Sequence, residues 1–311
     1  MKVLVTCPPM LGLIDHFYQH ALNSGIELVP AKTVQVLSVR ELLELVPQYD
    51  GWIIGDDPAT REVFTAGTKG RLKAAVKWGI GVDNVDFKAC HDLNIPITNT
   101  PNMFGGEVAD VAIAYLLGLA RHLFYIDREV RNNNWAKPAG MSMAGKHIGV
   151  IGFGDIGENI VKRLAGFDVK VTVYDPFIEG DKGYNFVHRK NFPEGLSELD
   201  FLILACALTK QNIHLLNAKT ISLLKEGAKI INVSRGLLIH EQALIDALNS
   251  GHISSAALEV FEEEPLPQNS PLRALPQCIL GSHNASNTVE GVKRASMEAI
   301  KKIAEFLNAK Q

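Results

Sequence analysis

The stretch GVIGFGDIG, residues 149 to 157, sets Gly152, Gly154 and Gly157 at the spacing G-x-G-x-x-G. Glycines at this spacing are common, so context decides what they mean. Upstream, KHIGVI (146–151) is short, apolar and bounded by turn residues, the pattern of a buried parallel strand. Downstream, IGENIVKRLAGF places Ile156, Ile160, Val161 and Leu164 at helical spacing. A strand, a glycine turn and a helix in that order belong to a parallel α/β sheet. Gly152 would permit the tight turn, Gly154 would let backbone approach a pyrophosphate, and Gly157 would let helix and strand pack closely.

A second strand, VKVTVYDP, ends in Asp175, eighteen residues after Gly157. An acid there accepts hydrogen bonds from the adenosine ribose of a dinucleotide and repels a 2′-phosphate. The stretch DPFIEGDK adds mainly carboxylates, so the expected cofactor is NAD rather than NADP. Asp155 puts negative charge inside the glycine loop, and its side chain is expected to point to solvent while the helix N-terminus neutralises the pyrophosphate.

The chain has 311 residues, 47% of them hydrophobic, enough for two domains with ordinary cores. Its net charge of −3 and scattered lysines and arginines leave no electrostatic footprint for nucleic acid. The apolar runs VAIAYLLGLA and FLILACAL fall short of the roughly 18 residues of a membrane span. MKVLVTCPPM has too short an apolar run for a signal peptide. Cys7, Cys90, Cys206 and Cys278 are far apart and form no C-x-x-C pair, so they read as buried thiols, with no metal site. The N-x-S sequons at Asn232 and Asn284 fall where the active site is expected, which favours the cytoplasm.

Ahead of the glycine loop, KVLVTCP, ELVPA, GWIIG, AAVKWG and PITNT read as strands, separated by helical patterns such as VRELLELV and NVDFKACHDL. A long apolar helix is predicted from about Gly106 to Arg128. After Asp175, strands are predicted at DFLILAC, KIINVS, SSAALEV and CILGS, with a helix at HEQALIDALNSG. The last segment carries Val289, Val292, Ala299, Ile300, Ile303 and Leu307 on one face.

A dehydrogenase also needs a base for the hydroxyl proton and a cation for the substrate carboxylate. Arg235 in NVSRG and His283 in GSHNAS each follow a predicted strand, and EVFEEEP ends its acidic run at Glu264. Ligands of open α/β sheets bind beyond the carboxyl ends of strands, where these residues converge. Taken singly, such an arginine is usually a surface ion pair, such a glutamate solvated and such a histidine structural. Taken with GIGVDNVD, GVIGFGDIG, YDP, INVSRG, ALEVFEEEP and SHNAS in that order, the chain resembles the D-isomer-specific 2-hydroxyacid dehydrogenases over nearly its whole length.

That resemblance implies two doubly wound parallel-sheet domains: a flavodoxin-like substrate domain (1–98 with 288–311) and a Rossmann NAD domain (99–287), the site lying in the cleft between them. It implies that Arg235 binds the substrate carboxylate, that His283 is the acid/base, and that Glu264 orients the imidazole and favours its charged form. Backbone N–H groups near Ile80 and Gly81 would also hold the carboxylate. Cofactor contacts would come from Gly152, Gly154, Asp155, Ile156, Gly157, Asp175, Ala207, Val233, Ser234, Glu259, Ala285 and Val108. The implied activity is NAD-dependent interconversion of a small D-2-hydroxy acid and its 2-oxo acid, such as 3-phosphoglycerate, with glyoxylate or hydroxypyruvate as the other reading. A homodimer is implied as well.

Several positions depart from the family. Glu259 stands where aspartate usually helps bind the nicotinamide carboxamide, and Ala205 and Ala207 stand where histidine or cysteine and then proline are common. Glu264 argues against the formate dehydrogenase branch, which uses glutamine there. Lys77 and Arg71 are the candidates for a substrate phosphate, and Trp78 and Phe104 are open between pocket lining and packing. The rival from another class is an NAD-sensing corepressor-like protein; the expected lack of extensions, with no regulatory domain after residue 311, favours the enzyme.

Overall fold

The computed structural model describes residues 1–33 and 35–309. Contacts divide the chain into one unit of Met1–Phe104 with the segment from Asn287 onward, and a second of Gly105–Ser286.

In the first unit, strands β1 (Lys2–Val5), β2 (Glu27–Pro30), β3 (Gly51–Ile54), β4 (Ala74–Lys77) and β5 (Ile97–Asn99) form one parallel sheet in the order β2-β1-β3-β4-β5. This is the flavodoxin-like order. Burial on both faces explains why β3 and β4 are continuously apolar or small until Lys77. One core gathers Leu4, Trp52, Ile54, Phe64 and Leu72. The helix Val289–Asn308 buries Val292, Ala299, Ile300, Ile303 and Leu307. Ile303 packs against Gly51 of β3, so this helix closes the first unit. Val289 departs from the expected face and is exposed, because it sits at the first turn beside the Thr288 cap.

In the second unit, β6 (His147–Ile151), β7 (Lys170–Tyr174), β8 (Val187–Arg189), β9 (Phe201–Leu204), β10 (Ala228–Asn232), β11 (Ile253–Leu258) and β12 (Cys278–Leu280) form a parallel sheet in the order β12-β11-β10-β9-β6-β7-β8. The chain runs outward from β6 to β8, then returns to β9 and runs outward the other way. The switch point lies between β6 and β9, where such sheets bind ligands. β8 is absent from the sequence reading; three residues give too little alternation to register.

The predicted helix from Gly106 to Arg128 is two helices, Gly105–Arg121 and Leu123–Arg131, meeting at 66°. His122 breaks it by adopting φ 57°, and its Nε2 lies 3.2 Å from the Ala139 carbonyl oxygen. No single helix among the described residues is long and apolar enough to cross a membrane. Cys7, Cys90 and Cys278 are buried and Cys206 half-buried, all as free thiols; burial pushes Cys206 and Cys278 up to about 11.

Candidate active site

The glycine loop joins β6 to the helix Asp155–Leu164. Gly152 has φ 91° and lies so close to the backbone of Cys206, just past β9, that a Cβ would collide with it. Gly157 packs against the Gly152 carbonyl, leaving no room for a side chain, whereas Gly154 faces open space. A cradle that is closed on its protein side and bare at Gly154 fits a pyrophosphate over the helix N-terminus.

Asp155 is corrected by the structure. Its carboxylate turns toward Gly105 at the start of the helix Gly105–Arg121, and Asn159 Nδ2 donates to its Oδ1 at 3.2 Å. The positive end of that helix offsets the charge, and a Cβ on residue 105 would displace it.

Asp175, past the end of β7, accepts from the Phe153 N–H through Oδ2 (2.7 Å) and from the Phe177 N–H through Oδ1 (2.8 Å). Its carboxylate therefore ties the glycine loop to the turn that follows β7. Lys182, the one cation of DPFIEGDK, donates to the Phe153 carbonyl at 2.9 Å and pairs with Glu158. Arg189 of β8, which sequence reading missed, donates to the Asp175 carbonyl at 2.9 Å.

The catalytic candidates follow three adjacent strands, β10, β11 and β12. Asn232 ends β10 buried, with its Nδ2 donating to the Arg235 carbonyl (2.9 Å) and its Oδ1 accepting from the Ser234 N–H (3.1 Å). Ser234 Oγ donates to the Cys206 carbonyl. Gly236 leaves no space for a side chain against the Phe261 carbonyl, which seats the half-buried Arg235 beside the segment after β11. There Glu264 accepts the Phe261 N–H through Oε1 at 2.9 Å, and its Oε2 lies 2.7 Å from His283 Nδ1. The acidic run is thus divided: Glu264 faces the histidine, and Glu262 accepts from the Glu241 N–H at 3.1 Å. Glu262 also lies 2.8 Å from His214 Nε2, close but outside hydrogen-bonding line.

Glu259, just past β11, is buried. Its Oε2 accepts from the Tyr115 hydroxyl and its Oε1 from the Asn284 N–H. Burial and this carboxylate push the Tyr115 phenol well above its ordinary value. Sequence reading missed Tyr115 because it sits inside the apolar run VAIAYLLGLA; the only signal was a hydroxyl that a buried tyrosine must satisfy. Of the remaining cofactor candidates, Val108, Val233 and Ala285 are buried, Ile156 is half-buried and Ala207 is exposed.

In the first unit, Ile80 is 48% exposed, and no hydrogen bond among the described residues uses the Ile80 or Gly81 N–H. Gly79, at φ 101°, donates to Thr100 Oγ1 at 2.7 Å and fixes the loop. Lys77 is 3% exposed and donates to Asp56 (3.2 Å) and the Trp78 carbonyl (2.9 Å), so it is no free phosphate ligand. Arg71 precedes β4, at the sheet end away from the loop, and clasps Asp50 through both oxygens. Trp78 and Phe104 are buried, with ring centroids 4.9 Å apart, and Trp78 Nε1 donates to Ser296 at 3.2 Å, so both are packing. Among the described residues, no group of three or more His, Cys, Asp or Glu side chains is placed to hold a metal ion.

Residues 113–285 match the family model for the D-isomer specific 2-hydroxyacid dehydrogenase, NAD binding domain. The chain belongs to the D-isomer specific 2-hydroxyacid dehydrogenases. It is therefore an NAD-dependent oxidoreductase of that family. It is 33% identical to D-3-phosphoglycerate dehydrogenase of Methanocaldococcus jannaschii over 97% of this chain, which spans only 57% of that relative. It is 32% identical to hydroxypyruvate reductase of Thermotoga maritima, covering 88% of this chain and 90% of the relative. Among solved structures, the NAD-dependent formate dehydrogenase of Staphylococcus aureus, solved in complex with NAD, superposes with a TM-score of 0.86 at 26% identity, over 100% of this chain and 97% of that one. The fold and the NAD domain of these dehydrogenases are accordingly this chain's own.

Proposed function

We propose that this dehydrogenase reduces a short, unphosphorylated 2-oxo acid of the glyoxylate or hydroxypyruvate kind to its D-2-hydroxy acid, and catalyses the reverse oxidation. The observation that carries the chemistry is the His283–Glu264 pair at 2.7 Å, its members following β12 and β11 beside the β10 end that carries Arg235. Bound NADH supplies the hydride. The chain supplies the rest. Arg235 takes the substrate carboxylate in a bidentate clamp. Glu264, anchored by the Phe261 N–H, holds Nδ1 so that Nε2 of His283 faces the substrate oxygen. In reduction, Nε2 gives its proton to the oxygen as the C2 alkoxide develops; in oxidation it takes that proton back.

The preference for an unphosphorylated acid rests on Lys77 and Arg71, both committed to aspartates. An added phosphate would meet neither of them. The test is kcat/KM with NADH for glyoxylate, hydroxypyruvate and 3-phosphohydroxypyruvate; a higher value for the phosphorylated acid contradicts the preference. A homodimer is part of the same reading, because the helix Leu123–Arg131 buries no residue and leaves Leu123, Phe124 and Val130 exposed. Light scattering at the mass of one chain would remove that element.

A further inference from the structure

We propose that Tyr115 and Glu259 act as one positioning unit for His283, setting the acid/base through the peptide that joins His283 to Asn284; this rests on the reading of His283 as the acid/base. The Glu259 backbone carbonyl accepts the His283 N–H at 2.8 Å, and its side-chain Oε1 accepts the next N–H, that of Asn284. A single residue therefore grips two successive amides. The grip falls where the backbone is held away from its preferred region: His283 has φ 55°. A histidine in that conformation persists only where its surroundings hold it.

Glu259 is itself fixed at both ends. Its N–H donates to the Asn232 carbonyl at 2.9 Å, which ties it to the strand end that carries Arg235. Its other carboxylate oxygen is taken by the Tyr115 hydroxyl, which comes from the middle of the helix Gly105–Arg121. Gly281 completes the set. A Cβ there would collide with Glu259 Oε2 and with the Tyr115 hydroxyl, so glycine leaves the space that the longer acid and its phenol partner occupy. An aspartate at 259 is one methylene shorter and cannot span from the Asn284 N–H to Tyr115 from the same backbone position. The departure at Glu259 is thus paired with Tyr115 and Gly281, and its carboxylate is directed to the histidine loop.

The test is a double-mutant cycle of Y115F and E259D, with kcat, KM for the 2-oxo acid and NADH affinity measured for each variant, and thermal midpoints as a folding control. Each single variant is expected to lower kcat by about tenfold, as a sub-ångström misplacement of an acid/base does. NADH affinity should stay within about twofold, and the double variant should be no worse than E259D by more than about twofold, because the second change removes a contact already lost. Additive losses overturn the proposal, as does a loss of NADH affinity with kcat at saturation unchanged, which would assign the pair to the cofactor.

A second measurement does not depend on turnover. In protein carrying labelled histidine, NMR titration of the His283 ring, identified by its absence in H283Q, should shift in Y115F while that of exposed His16 does not. An unmoved His283 titration in both Y115F and E259D overturns the proposal even if the protein is active. Absence of wild-type turnover on every 2-oxo acid removes the functional reading instead, and the titration still decides whether Tyr115 and Glu259 position the ring.

Discussion

His283 Nδ1 stands 2.7 Å from Glu264 Oε2, and the other oxygen of the same carboxylate is held by the Phe261 N–H at 2.9 Å. The backbone thus aims a carboxylate at the Nδ1 edge of the imidazole. E264Q keeps the size of the side chain and removes the charge. It is expected to lower kcat/KM for reduction by about a hundredfold. Because a carboxylate favours the charged imidazole, reduction should also retreat to lower pH. A pH profile of kcat/KM for both proteins checks this; an unchanged profile contradicts it.

Arg235 is expected to be irreplaceable by lysine. Its loop is held by the Asn232 side chain, which bonds the Ser234 N–H and the Arg235 carbonyl, by Gly236 pressed against the Phe261 carbonyl, and by Arg235 Nη1 donating to the Ser234 carbonyl at 3.0 Å. A lysine supplies charge without the planar fork of a guanidinium. R235K should lose about a hundredfold in kcat/KM, largely through KM for the 2-oxo acid, with NADH affinity kept. Steady-state kinetics at varied acid and fixed saturating NADH measure the split.

The last two glycines of the loop, Gly154 and Gly157, should separate stability from cofactor binding. A methyl group on Gly157 meets the Gly152 carbonyl, so G157A should cost about 2 kcal/mol in urea unfolding. Gly154 has no neighbour within 4 Å of an added Cβ, so G154A should unfold as the wild type does and still weaken NADH by about tenfold or more. Equal stability effects in the two variants would contradict the roles assigned to them.

His147 at the start of β6 gives a pH dependence of stability. Its Nε2 lies 2.8 Å from Thr172 Oγ1, and burial pushes the imidazole below its ordinary value; Glu198 opposes this shift and Lys190 and Lys170 add to it. The unfolded chain then binds the proton more readily. Stability from this site is complete above about pH 6.5 and declines as the pH falls through the lower folded value. H147Q should flatten that decline in urea midpoints compared at about pH 7.5 and about pH 5.5; an identical slope in the variant contradicts it.

What the sequence made legible was local. Gly152, Gly154 and Gly157 stand between a strand and a helix as their flanks predict, and Arg235 and His283 each follow a predicted strand. What it hid depends on partners distant in the chain. Asp155 faces inward because Gly105, fifty residues earlier, starts a helix beside it. Lys77 is silenced by Asp56, and Tyr115 is polar only with respect to Glu259. The helix break at His122 leaves apolar periodicity intact on both sides, so periodicity could not register it. Side-chain direction and pairing are tertiary properties, which spacing along one element does not encode.

In the proposed reaction, His283 moves the substrate proton of a short 2-oxo acid. Its most direct test is NADH consumption, followed by absorbance, across glyoxylate, hydroxypyruvate, pyruvate and 3-phosphohydroxypyruvate, for wild type and H283A side by side with NADH affinity measured for both. Turnover of an unphosphorylated acid is expected, falling by about a hundredfold or more in H283A while NADH still binds. Tight NADH binding with no turnover of any acid, or an H283A variant as active as the wild type, would contradict it.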